Sequence, residues 1–125
     1  MNYRDVLKRG MELAHGGDVW GGMSLLREGM AHAASASDSV WENRFARSVA
    51  ILAESQGDTD ESIACYRRMT VNQPTDMYSR IALGTALMAT GRHAEAQAEF
   101  SVALELAEAA GDDEWSEIVR RTMSG

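Results

Sequence analysis

The chain repeats itself at a period of about 34 residues, and Gly57 and Gly91 mark the same place in successive copies. The stretch 43–76 overlays the stretch 77–110 without a gap. A fixed period of this length marks a repeat architecture, in which each unit buries its apolar face only against its neighbours. The constraint bears on fold far more than on function, because such arrays bind partners and the pattern does not name the partner.

The second stretch shows how the period is built. Leu83-Gly84 lies in an apolar run, Leu87 follows, and Gly91 breaks the chain. Ala96, Phe100 and Ala103-Leu104 then recur at the i, i+4, i+7 spacing of one helix face. The unit reads as helix, short turn, helix. These residues resemble the tetratricopeptide repeat family, carried by Leu83, Gly84, Leu87, Gly91, Ala96, Phe100, Ala103 and Leu104. The first stretch has Val49-Ala50, Ala53, Gly57, Ser62, Tyr66, Met69 and Pro74 at the equivalent places, with Ala50 for the glycine and Met69 for the second alanine. A weaker copy near Tyr3 has Gly10, Leu13, Gly17, Gly22, Leu26 and Gly29, and Arg9 where a leucine is expected.

The resemblance implies an all-α fold, a right-handed superhelical array of antiparallel helix pairs with about seven helices. One domain is expected over residues 1–125, with repeats near 3–36, 43–76 and 77–110. A capping helix is expected near 112–123, where Trp115, Ile118, Val119 and Met123 share a face. For Trp115 the expectation is packing on the last unit; an exposed docking residue is the alternative. The interval from Gly17 to Gly57 is longer than that from Gly57 to Gly91, and the extra positions fall in the Ser/Ala-rich stretch 34–41, which is either helix or loop.

Local signals agree. Ser39 with Glu42 reads as a capping box, and Asp58 with Glu61 has the same character. Asp76 suits the cap of a helix starting near Met77. Pro74, the single proline, falls between units. Gly21 and Gly22 near a helix start each cost about 1 kcal/mol relative to Ala, so the first unit is expected to be the least stable.

Composition narrows the setting. No apolar run is long enough for a membrane span and no charged start leads into an apolar h-region, so neither span nor signal peptide is expected. The single cysteine, Cys65, excludes an internal disulfide. A cytoplasmic protein is the expectation, and the excess of arginine over lysine hints at a bacterial gene. Residues 1–47 hold six basic and six acidic groups; residues 48–125 hold six basic and thirteen acidic, which is the whole net charge of −7. The acidic half would repel nucleic acid and anionic membrane, and neither is expected as a partner.

No reactive constellation stands out, so no enzyme, cofactor or metal is expected. His15, His32 and His93 lie in different units with no zinc spacing. Cys65 sits among apolar residues without a neighbouring histidine to activate it. Gly16-Gly17 and Gly21-Gly22 resemble a phosphate loop only superficially, lacking a Gly-Lys-Ser/Thr sequel and a preceding strand. The acidic runs 58–61 and 112–114 suit helix starts rather than calcium loops.

In the tetratricopeptide family the first helix of each unit lines a concave groove for a peptide or a partner helix. The resemblance places Arg4, Leu7, Lys8 and Met11 there in the first unit, Arg44, Arg47, Ser48 and Ile51 in the second, with Glu54 and Ser55 further along, and Tyr78, Ile81, Ala82, Thr85 and Met88 in the third. Leu7, Met11, Ile51, Ile81 and Met88 would give an apolar floor. Arg44 and Arg47, three apart on one face, would reach a partner's carboxylates or pair with the chain's own Glu42 or Glu12. The lysine, asparagine and arginine set by which some members clamp a chaperone's C-terminal carboxylate is missing. Leu7, Met11, Ser48, Tyr78 and Ala82 stand in its place.

The leading expectation is a non-enzymatic adaptor or assembly module that binds a segment of another protein in this groove. The alternative is an acidic inhibitor, immunity protein or secretion-type chaperone masking one client. A homodimer through the uncapped first unit is a further expectation.

Overall fold

The computed structural model describes residues 1–124. Among these there are seven helices and no strand: α1 (Tyr3–His15), α2 (Val19–Ser35), α3 (Ser39–Ser55), α4 (Thr59–Asn72), α5 (Met77–Ala89), α6 (His93–Ala109) and α7 (Asp113–Ser124). The chain divides into two compact units, one from Met1 to Asn72 and one from Gln73 onward.

In the first unit, α1 packs on α2, α2 on α3 and α3 on α4, with a lighter contact between α1 and α3. Its core is Met23, Leu26, Phe45, Val49, Ile63, Tyr66 and Met69 between alanines. Small residues let the helices close up. A methyl group on Gly10 would fall 2.7 Å from Leu26, and one on Gly22 would fall 2.4 Å from the Gly10 carbonyl oxygen. Gly22 therefore has a packing reason to outweigh its poor helix propensity. The buried Asn43 amide ties α3 to α4, donating to the Met69 carbonyl at 3.3 Å and accepting from Asn72 at 2.8 Å.

In the second unit, α5 packs on α6 and α6 on α7. Phe100 is fully buried against Gly84, where a methyl group would lie 2.6 Å from the ring. Leu83, Leu87, Ala96, Ala103 and Val119 complete this core.

The helices are joined by one recurrent turn. Gly17, Ser37, Gly57, Gly91 and Gly111 have positive φ. The next residue's N–H bonds the carbonyl five back in each case, as in Asp58 to Ala53 at 2.9 Å and Arg92 to Leu87 at 2.9 Å. This is the Schellman close of a helix. Asp18, Asp38, Asp58 and Asp112 follow the turn, and each carboxylate accepts an N–H of the next helix's first turn. α6 is the exception, with Arg92 at that position and no side-chain cap.

These turns resolve the stretch 34–41. α2 runs to Ser35 and α3 starts at Ser39, so both helices are extended and only residues 36–38 separate them. The N-cap is Asp38, whose carboxylate accepts from the Trp41 N–H at 3.1 Å; Ser39 is the first helical residue. The capping box expected from Ser39 and Glu42 is therefore displaced, because Asp38 lies nearer the orphan amides and Glu42 turns to Arg68 at 3.0 Å. Gly17, Ser37 and Gly57 are evenly spaced along the chain, and Gly91 and Gly111 repeat the same interval. The longer interval, from Gly57 to Gly91, contains the one joint built differently, α4 to α5, where Gln73-Pro74-Thr75 leads into the Asp76 cap.

Candidate functional site

Within the first unit, two parallel helices carry the residues singled out from the sequence. On α1, Arg4 and Lys8 are exposed, while Leu7 and Met11 are half-buried beside the buried Gly10 and Ala14. On α3, the buried arc is Phe45, Ala46, Val49, Leu52 and Ala53. The opposite arc is Val40, Arg44, Arg47 and Ile51 at spacings of four, three and four, all exposed. Val40 is 49% and Ile51 44% exposed, so the two arginines stand between two uncovered apolar side chains. Ser48 is half-buried beside this arc, and its hydroxyl donates to the Arg44 carbonyl at 3.2 Å.

The sequence pattern did not reveal Val40, because the start of α3 was undecided there. Nor did it reveal what holds Arg44. The guanidinium lies over the Trp41 ring, 4.7 Å from its centroid. Trp41 in turn meets Tyr3 at 5.7 Å and Phe45 at 5.8 Å with the rings tilted, and Tyr3 meets His32 edge-on. The Tyr3 hydroxyl is 2.8 Å from His32 Nδ1. An aromatic at i−3 to an arginine was the available signal. Glu42, expected with Glu12 as an alternative partner for Arg44 and Arg47, pairs with Arg68.

In the second unit, α5 exposes Tyr78, Thr85 and Ala89, with Ile81, Ala82 and Met88 half-buried along one flank. This strip has no charged side chain: Arg80, the helix's one ionic residue, pairs with Glu99 at 3.0 Å. On α7, Ser116 and Val119 are buried while Trp115 is 37% exposed. Trp115 therefore stands at the rim of this unit's core, between the two expectations for it.

The remaining candidates have structural explanations. Cys65 is buried and its thiol is pushed up to about 11 by burial, with Glu61 adding to the effect. A thiol held protonated is a poor nucleophile. Glu61 forks onto Arg27 through two bonds of 2.7 and 2.6 Å, and this hydrogen-bonded pair raises the Arg27 pKa. The Gly16-Gly17 pair forms the close of α1, and the α2 N-terminus behind it already holds the Asp18 carboxylate. A shallow cleft of about 350 Å³ beside this turn is lined by Arg9, Glu12, Leu13, Gly16 and Asp18. Among the described residues no group of three or more His, Cys, Asp or Glu could hold a metal ion. Among them, too, no helix is long and apolar enough to cross a membrane.

No known protein-family profile matches the sequence, and no well-characterised protein matches it in sequence either. The structure is similar to that of the Yersinia enterocolitica type III secretion translocator chaperone SycD. The TM-score is 0.71 at 16% identity, over 98% of this chain and 87% of the other. At that identity the likeness is one of fold, and the chain has an all-α, tetratricopeptide-like arrangement of paired antiparallel helices.

Proposed function

We propose that this chain is a non-enzymatic client-binding module of the tetratricopeptide repeat family, acting as one domain. It holds a segment of another protein against the exposed strips of α1 and α3 in the first unit, and the α5 strip of the second unit is a separate candidate surface. The observation that carries this reading is the α3 strip. Two arginines stand between uncovered Val40 and Ile51 on a helix whose opposite side is a packed core. Uncovered apolar side chains beside oriented cations suit a partner surface.

Two jobs fit such a face. An adaptor links its client to something else; a secretion-type chaperone keeps one client soluble until it is used. The likeness in fold to a translocator chaperone supports the second. The reading places the protein in the cytoplasm of a bacterium, with a protein partner rather than nucleic acid or membrane. Self-association through the outer side of α1 is its remaining component, tested by light scattering at high concentration.

The experiment is capture of partners from source lysate by wild type and by an Arg44→Glu, Arg47→Glu double variant, followed by co-expression with the captured protein. A dominant partner lost with the variant supports the reading, and its insolubility without this chain favours the chaperone job. A partner retained by the variant moves the site away from α3.

A further inference from the structure

α7 closes the second unit with little apolar burial. Val119 is its one large apolar side chain that is fully buried, with Ser116 beside it. The end of an array stays soluble when the outward side of its last helix is polar. Glu117, Arg120 and Arg121 are exposed and meet that need. Trp115 and Ile118 do not: they stand three apart on one flank, 37% and 36% exposed. Thr122 follows four residues on, and its hydroxyl donates to the Ile118 carbonyl at 2.9 Å, so its polarity is spent on the backbone. One flank of α7 therefore carries a short, partly uncovered apolar strip.

The free charge beside this strip has one sign. The unit has four arginines and no lysine, and each arginine holds an acid: Arg80 with Glu99, Arg92 with Glu95, Arg120 with Glu108 and Arg121 with Glu117. Asp76 and Asp112 cap α5 and α7. Among the described residues this leaves Glu105, Asp113 and Glu114 without an ion pair. Asp113 and Glu114 are exposed and directly precede Trp115, and Glu114 lies one turn before Ile118. A helix N-terminus favours acids in its first turn and accounts for these two; it does not account for the uncovered indole beside them. We propose that this flank of α7 docks a basic segment of a second partner protein. An apolar residue of the segment rests on Trp115 and Ile118, and a lysine or arginine lies beside it at Asp113 and Glu114. Trp115 is the anchor, because a tryptophan in a desolvated contact carries much of the binding energy, and its ring face also attracts a cation. The surface is distinct from the α1 and α3 strips and opposite in charge, so it gives the chain the second attachment that an adaptor needs.

The test uses the full chain, isotope-labelled, and three short synthetic peptides that share two leucines flanked by lysines, by glutamates or by serines. The lysine peptide is expected to shift the Trp115 indole N–H and the amides of α7, and to bind less tightly as salt rises. It should lose about tenfold in affinity with Asp113→Asn, Glu114→Gln, which leaves the Asp112 cap in place. Ile118→Gln tests the apolar contact apart from the charge and should also weaken binding. Arg44→Gln, Arg47→Gln should leave this binding unchanged, so its outcome is separate from that of the α1 and α3 reading. Equal binding of the glutamate peptide, shifts away from α7 only, or no shifts with the lysine peptide would overturn the proposal. So would α7 shifts that appear on concentrating the protein alone, since a second copy would then cover the strip.

Discussion

α3 and α5 hold equivalent places in successive helix pairs and expose different chemistry. Arg44, Arg47 and Ile51 on α3 correspond, one repeat on, to Tyr78, Ile81 and Thr85 on α5. The buried sides are alike: Val49-Ala50 and Ala53 on α3 correspond to Leu83-Gly84 and Leu87 on α5, all buried. Packing dictates the inward residues, because a helix pair closes only around small positions facing large ones. It leaves the outward residues free, and there the strips differ, charged on α1 and α3 and uncharged on α5.

Substitutions on the alike sides should have the greatest consequences. Phe45→Ala and Phe100→Ala each remove a fully buried ring and should cost about 3–5 kcal/mol by denaturant unfolding. Phe100→Ala should lower amide protection throughout α5–α7. A loss below about 1 kcal/mol at either position would mean that the ring is not the keystone of its unit.

Smaller effects separate the helix starts. Asp38→Ala should cost about 1 kcal/mol by removing the α3 cap. Arg92→Asp should stabilise the protein by about 0.5–1 kcal/mol, since α6 lacks a cap and an acid there also suits the helix dipole. The Arg92–Glu95 pair given up is at the surface and worth a few tenths of a kcal/mol. A destabilised Arg92→Asp protein, read by thermal unfolding, would count against the equivalence of the turns.

The slightest effect concerns Cys65, on the helix that pairs with α3. Its folded thiol is raised from 9.0 to about 11, so the folded state keeps the proton more tightly than the unfolded chain. The stability this gives is complete below pH 9 and is lost as pH rises toward about 11. Cys65→Ala should flatten that alkaline decline, and wild type should react slowly with thiol reagents until it unfolds.

The helix pairs were legible because their stops are chemically loud. Gly57, Gly91 and Gly111 adopt a left-handed turn that other residues avoid, and Pro74 marks the remaining joint. The α2–α3 turn was silent because Ser37 takes the same conformation, at φ 57°, without being glycine. That concealed the extended α3 start, and with it Val40 and the Asp38 cap. Positions on the exposed strips could be read from the register. The Arg44–Trp41 stacking could not be, since it depends on Tyr3 and Phe45 converging from two helices to fix the indole.

If the two strips differ because of what they meet, recognition should depend on the charged strip of α3 more than on the uncharged strip of α5. The direct measurement is the affinity of the captured client for wild type, for Arg44→Gln, Arg47→Gln, and for Tyr78→Gln, Thr85→Gln, each confirmed folded by circular dichroism. The α3 variant should lose about tenfold in affinity and the α5 variant clearly less. Equal losses, or the larger loss at α5, would contradict the proposed division between the strips.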